Sequence, residues 1–251
     1  MNNETKRKLT SLGLKELAEA VEIQEDNTAK YLPLSFDERL TLAVDFLYQA
    51  KYNEKILRRI KSAKLRYDSA ALDSVDFTSR NIDESLIKEL ATSKFIDICT
   101  NIIIQGFTGS GKTFLACAIA KEACKNDIKT LYMRLPDLLQ MKQEYTLMHR
   151  DRIYLNRLAS YKLLVIDEWL INDLTQDDIQ FLFELFEIRY DRSSTIFVSQ
   201  YKTADWHTRL GGSLHADAIM DRIVHNSITI ESGNVNMRER IHKKEYIRNN
   251  I

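Results

Sequence analysis

Residues 106–113 read GFTGSGKT and lie between the apolar run NIIIQ (101–105) and the segment FLACAIAKEA (114–123). Three of the chain's seven glycines fall in this one stretch, directly ahead of a lysine and a threonine. The spacing is G-x-x-x-x-G-K-[ST], and its chemistry requires those residue types. Glycines let the backbone turn its N–H groups inward around phosphate oxygens, and the lysine supplies a cation to the outer phosphates. The threonine hydroxyl is a ligand for Mg²⁺, and the helix that follows aims its positive N-terminus at the same charge. Gly106, Phe107, Thr108, Gly109, Ser110, Gly111, Lys112, Thr113 and Phe114 are therefore the expected nucleotide contacts, with ATP and Mg²⁺ as cofactors. A buried strand before the loop and a helix after it are the context that this reading needs, and the flanking sequence supplies both.

From Asn101 onward, short β-rich runs alternate with helical stretches. The runs are 101–105, 129–134, 162–167, 195–199 and 227–230. Such alternation predicts a parallel sheet wound by crossover helices. Near-continuous apolar runs such as IIIQ and LLVID fit strands covered on both faces. KLLVIDE (162–168) ends in two acids: Asp167 is expected to hold the Mg²⁺ shell, and Glu168 to orient and polarise a water. The adjacent glutamate favours hydrolysis and argues against a small-molecule kinase. TIFVSQ ends in Ser199 and Gln200, either of which can reach the γ-phosphate or the water, with Gln200 the favoured one.

Residues 5–67 read as helices only. Leu9, Leu12, Leu17 and Val21 suit one amphipathic helix, and Ser35-Phe36-Asp37-Glu38 is a capping-box pattern opening a second. The expected organisation is a helical domain over 1–67, a linker over 68–82 and an ATPase domain over 83–251, opening with a short helix at 83–92. Lys51, Lys55, Arg58, Arg59, Lys61, Lys64 and Arg66 face the single acid Glu54 in that stretch. This basic run reads equally as a phosphate-contacting surface or as a solvated helix face. The segment 135–160 is longer than a simple crossover needs and predicts two helices. By analogy with replication initiators and loaders, its Lys142, Arg150, Arg152 and Arg157 are candidate DNA contacts, alongside His149. No cluster around His149 suggests a metal.

Formal charge is zero, so any field for nucleic acid is local. Cys99, Cys117 and Cys124 lack metal-ligand or C-x-x-C spacing and read as reduced structural thiols. No apolar run approaches the roughly 18–20 residues that span a bilayer, and the N-terminus carries no signal core, so a cytoplasmic protein is expected.

With those residues in view, the chain resembles the insertion-sequence ATP-binding protein (IstB) family, AAA+ ATPases encoded beside a transposase. LGLKELAEAVEIQ, LSFDERLTLAVD, IKSAKLRY, GFTGSGKTFLACAIA, LLVIDEWL, TIFVSQYKTADWHTRLGG and HADAIMDRIVHNSITIESGNVNMRE carry the resemblance across most of the chain. It implies a P-loop (AAA+) α/β fold with a five-stranded parallel sheet, preceded by a small helical domain. About 21 residues follow the last strand, too few for a C-terminal helical lid. It also implies ATP hydrolysis, assembly on duplex DNA with ATP between subunits, and recruitment and stimulation of a transposase. It shifts the balance for the basic run towards DNA. Arg222 in DAIMDR looks like an arginine finger donated to a neighbouring subunit, its alternative being an ion pair with Asp217 or Asp221. Arg238 is a weaker candidate for a contact in cis, and Gln200 stands where many AAA+ proteins carry asparagine. Bacterial helicase loaders share this core and give the alternative function; a stand-alone metabolic NTPase or kinase is the third.

Overall fold

Gly13 decides how the chain begins. The computed structural model describes every residue except Asn234, Arg238 and 241–251. The amphipathic pattern of the first 26 residues is broken at Gly13, where φ is +74°, giving α1 (Asn3–Ser11) and α2 (Lys15–Asp26) instead of one helix. The Leu14 amide bonds the Leu9 carbonyl at 2.8 Å and the Gly13 amide bonds Thr10 at 3.0 Å. This is a glycine-centred helix stop, and the apolar spacing of three to five simply continued across it. After α3 (Thr28–Tyr31), the Ser35 hydroxyl accepts from the Glu38 amide at 3.3 Å and the Glu38 carboxylate accepts from the Ser35 amide at 2.8 Å. This reciprocal pair starts α4 (Phe36–Ala63).

The chain divides into two compact units, Met1–Arg58 and Arg59–Ile251, so the division falls inside α4 and not at 68–82. The 68–82 segment belongs to the second unit's core: Ala70, Val75 and Ile82 are buried in it. It contains a 3₁₀ turn (Leu72–Ser74) and α5 (Phe77–Arg80), and is followed by α6 (Glu84–Ala91) and α7 (Lys94–Asp97).

Five parallel strands follow: β1 (Asn101–Gln105), β2 (Thr130–Arg134), β3 (Leu163–Asp167), β4 (Ser194–Ser199) and β5 (Ser227–Glu231), in the order β2-β3-β4-β1-β5. α8 (Lys112–Lys125) follows β1, and α9 (Leu135–Leu147) and α10 (Asp151–Ala159) fill the long crossover after β2. α11 (Gln176–Arg189) precedes β4, and α12 (Thr203–Arg209) and α13 (Leu214–Val224) precede β5. Every residue of β1, β3 and β4 is buried, because helices cover both faces. One core packs α8 with the 60–96 region; the other packs α9 to α13, centred on Trp169, Phe197 and Trp206. The C-terminal ends of β1, β3 and β4 therefore open onto one edge, where ligands bind in open parallel sheets. Among the described residues, no helix is long and apolar enough to cross a membrane. Cys117 and Cys124 are buried free thiols, and burial pushes the Cys117 thiol up to about 11.

Candidate nucleotide-binding site

The loop after β1 takes the backbone its glycines allow. Gly109 and Gly111 have φ of +91° and +84°, and Gly111 is the N-cap of α8. The Ser110 hydroxyl is turned inward, donating to the Phe107 carbonyl at 2.8 Å. Lys112 Nζ donates to the Gly106 and Phe107 carbonyls at 2.7 and 2.8 Å, arching across the concave side of the loop. Thr113, one residue into α8, donates its hydroxyl to Asp167 Oδ2 at 2.9 Å. The loop and the end of β3 thus meet although β4 separates β1 from β3 in the sheet.

Asp167 is 2% exposed and held by three donors. Besides Thr113, the Tyr132 hydroxyl gives Oδ2 a 2.7 Å bond, and the Glu168 amide gives Oδ1 one at 2.8 Å. Burial, followed by the neighbouring carboxylate, raises the Tyr132 ionisation far above its usual range and keeps this phenol a donor. Glu168 adopts φ +56°, left-handed backbone that costs a non-glycine residue about 1–2 kcal/mol. The turn sends Trp169 into the aromatic core, where its amide bonds the Val198 carbonyl at 2.9 Å, and leaves the Glu168 carboxylate facing the cavity. There it lies between two guanidiniums, Arg66 at 3.4 Å and Arg134 at 3.6 Å.

The cavity has a volume of about 320 Å³ and is lined on one side by Thr108, Gly109, Gly111, Lys112 and Thr113. Asp167, Glu168, Gln200, Tyr67, Val75, Arg80, Phe114 and Met237 are among its other walls. Gln200 Oε1 accepts from the Thr108 hydroxyl at 3.0 Å, so it reaches the loop itself. Ser199 is buried, donating to the Trp169 carbonyl at 3.1 Å and accepting from the Tyr201 amide; its hydroxyl faces this turn and is not among the cavity walls. Phe107 is 39% exposed on the outside of the loop. Phe114 packs on Tyr67, ring centres 6.0 Å apart, giving the cavity an aromatic corner.

Other expected residues lie elsewhere. Arg222 is on α13, whose Arg222 carbonyl accepts from Asn101 at the start of β1, the opposite end of that strand from the loop. Its guanidinium donates to the Ala218 carbonyl at 2.9 Å, pairs with Glu187 and lies over the Phe183 ring. Neither Asp217 nor Asp221 is that partner; they pair with His207 and His225. Arg238 lies outside the described residues.

In the first unit, Lys51 pairs with Glu16 at 3.1 Å and Arg58 with Glu54 at 3.8 Å, while Lys55 is exposed. In the second, Arg59 pairs with Asp127 at 2.9 Å, Lys61 and Lys64 are exposed, and Arg66 faces the cavity. Lys142 is off the open surface: its side chain is 13% exposed and pairs with Asp178 at 3.1 Å. Arg150, Arg152 and His149 are exposed around the α9–α10 turn, and Arg157 reaches the Tyr145 hydroxyl at 3.4 Å. No grouping of metal ligands occurs among the described residues.

Sequence reasoning missed Tyr132, Arg134, Tyr67 and Arg80. Arg134 had a usable signal, since it ends β2 in register with Asp167. The others reach the site from elements whose packing no local pattern announces.

Strand order, phosphate loop and the paired acids at the end of β3 define a P-loop protein of the AAA+ class. Residues 7–245 match the family model described as IstB-like ATP binding protein, and the chain belongs to that family. It is 35% identical over 241 residues to the insertion sequence ATP-binding protein y4pL of Sinorhizobium fredii, covering 94% of this chain and 96% of that protein. It is also 35% identical to the insertion sequence IS1162 ATP-binding protein of Pseudomonas fluorescens, covering 80% and 87%. Among solved structures, the DnaC helicase loader matches 66% of this chain and 98% of its own at a TM-score of 0.56 and 22% identity. AMPPCP-bound DnaA from Aquifex aeolicus matches 71% and 55% at 0.57 and 21%. These structural likenesses establish the shared fold.

Proposed function

We propose that this chain is an ATP-hydrolysing helper of a transposase, which assembles on duplex DNA with ATP at its subunit boundaries and is reset by hydrolysis. The observation that carries the reading is the meeting of Thr113 and Asp167 at 2.9 Å, with Glu168 next in the chain and aimed into the same cavity. Membership of a family whose relatives are named insertion sequence ATP-binding proteins supplies the biological setting.

Lys112 and the loop amides bind the phosphates, and Gln200, joined to Thr108, senses the outermost one. Thr113 and Asp167 offer a hydroxyl and a carboxylate, the hard oxygen donors Mg²⁺ takes, and would hold that ion. When bound, it neutralises phosphate charge. Glu168 orients and polarises water. Arg222, at the far end of β1 from its own loop, serves a neighbouring copy, where its planar cation meets phosphate charge. DNA contact falls to the exposed bases Lys61, Lys64, Arg150 and Arg152, with Lys51, Lys55, Arg58, Arg59 and Arg157 available on exchange of their partners. Phe36, Leu40, Val44, Tyr48 and Leu57 leave α4 with exposed apolar surface of the kind that partners cover. The helicase-loader alternative predicts co-purification with a replicative helicase in place of a transposase.

Glu168→Gln is the test. It keeps shape and ATP binding but removes the base, so turnover falls by about 10²-fold or more and assemblies on DNA become long-lived. Gel shifts and phosphate release in which the variant matched wild type would remove Glu168 from this role.

A further inference from the structure

Arg80 ends α5 and is 2% exposed, yet its guanidinium has little to hold it. Its Nε donates to the Ser232 carbonyl at a long 3.3 Å, and its Nη2 is buried with no hydrogen-bond partner among the described residues. Asp76, the acid that acts on it through space, is engaged by the Ser79 amide at 3.1 Å and by Arg240 at 2.6 Å. Arg189 shows what a structural buried arginine looks like in this chain. Also 2% exposed, it donates to Thr195 Oγ1 and to the Leu158, Tyr161 and Ser194 carbonyls.

The place of Arg80 explains the difference. Its guanidinium carbon and both terminal nitrogens lie 3.3–3.4 Å from where a β-carbon on Gly111 would stand, immediately against the phosphate loop. It lines the same cavity as Gly109, Gly111, Lys112 and Thr113. A buried cation whose nearby acid, Asp76, is engaged by Arg240 is poorly compensated, and the strong negative charge this cavity is shaped for is a polyphosphate.

We propose that Arg80 is a phosphate-binding residue: its guanidinium, presented from the 68–82 segment, supplies counter-charge to the nucleotide's phosphate chain from the same polypeptide. Burial lowers its ionisation range, as expected of a cation held short of partners. The inference rests on nucleotide binding at the loop as proposed above, and extends the phosphate cradle beyond the loop motif and the trans arginine. It also gives Gly111 a second purpose, because a side chain there would press on the guanidinium.

The test uses the full chain carrying Arg80→Met, and Arg80→Gln as a milder neutral variant that carries the test if the methionine variant does not fold. Thermal shift and calorimetry are run with adenosine, AMP, ADP and ATP. Without nucleotide, Arg80→Met should melt about 2–4 °C higher than wild type, because a buried charge short of hydrogen-bond partners has gone. Its affinity for ADP and ATP should fall about tenfold or more, while adenosine binding stays within about twofold. A loss of equal size across all four ligands, or none, overturns the inference and leaves Arg80 a strut for Ser232. So does a lower melting point with the phosphate dependence intact. A wild-type chain indifferent to all four ligands fails earlier, at the nucleotide reading itself.

Discussion

Tyr132→Phe asks how much of the site depends on a residue outside the loop motif. The substitution removes one oxygen and keeps the ring, so packing around β2 is nearly unchanged. What goes is the 2.7 Å bond to Asp167 Oδ2, between a side chain 7% exposed and one 2% exposed. Asp167 keeps the Thr113 hydroxyl and the Glu168 amide, so one of its three donors is lost. A bond to a charged acceptor contributes about 1.5–3 kcal/mol. In a domain of this size, each kcal/mol moves the melting point by about 2–4 °C, so a fall of about 3–12 °C is expected. Because Tyr132 also orients the carboxylate proposed to hold Mg²⁺, the Mg²⁺ concentration that half-saturates ATP binding should rise about tenfold or more. Urea unfolding with an unchanged slope, together with a Mg²⁺ titration, separates the two effects. A variant within one degree of wild type and with the same Mg²⁺ requirement would refute the claim that this hydroxyl holds the acid.

Two further perturbations probe other parts of the unit. Arg222→Ala should bind ATP like wild type and lose no more than about 1 kcal/mol of stability, since its Glu187 partner is half exposed. Turnover with duplex DNA present, read by phosphate release, should fall on the order of 10³-fold; unchanged turnover removes the proposed trans role. Asp178→Asn removes the charge that pairs with Lys142 while leaving an oxygen for the α11 capping box, at an expected loss of about 2–4 kcal/mol at pH 7 by urea unfolding. Burial pushes the Asp178 carboxyl up, but the Thr175 hydroxyl and the Lys142 ammonium outweigh it and hold the group below the usual range. The wild-type advantage is therefore full above about pH 4–5 and shrinks as pH falls through that lowered value. An advantage that grew on acidification would contradict the assignment.

What the sequence made legible has a physical pattern. Strands buried on both faces announce themselves as apolar runs, and all five β-rich runs are strands of one parallel sheet. The loop was legible because phosphate binding dictates glycine positions locally, and the long 135–160 segment because it exceeds what a crossover needs. The helix stop at Gly13 was missed because spacing alone cannot tell a helix that continues from one that ends and restarts. The 68–82 segment lacked periodicity and looked like a linker, yet short turns pack Ala70, Val75 and Ile82 as firmly as a helix would. Loss of periodicity signals loss of regular structure, which is a different thing from loss of burial.

Arg66 carries that point into function. By charge count it closed the basic run of α4, one more cation for DNA phosphate. The helix ends at Ala63, and Lys64 takes φ +54°, left-handed backbone that turns the chain before Arg66 arrives. The guanidinium then meets Glu168 at 3.4 Å inside the cavity, across a sequence separation of 102 residues that no helical periodicity spans. A guanidinium can satisfy only so many oxygens in one plane. Arg66 faces the carboxylate proposed to polarise water while its side chain stays 42% exposed, and a duplex that drew it away would leave Arg134 beside Glu168. Charge counted along a helix measures a field, whereas the chemistry is decided by where the helix stops.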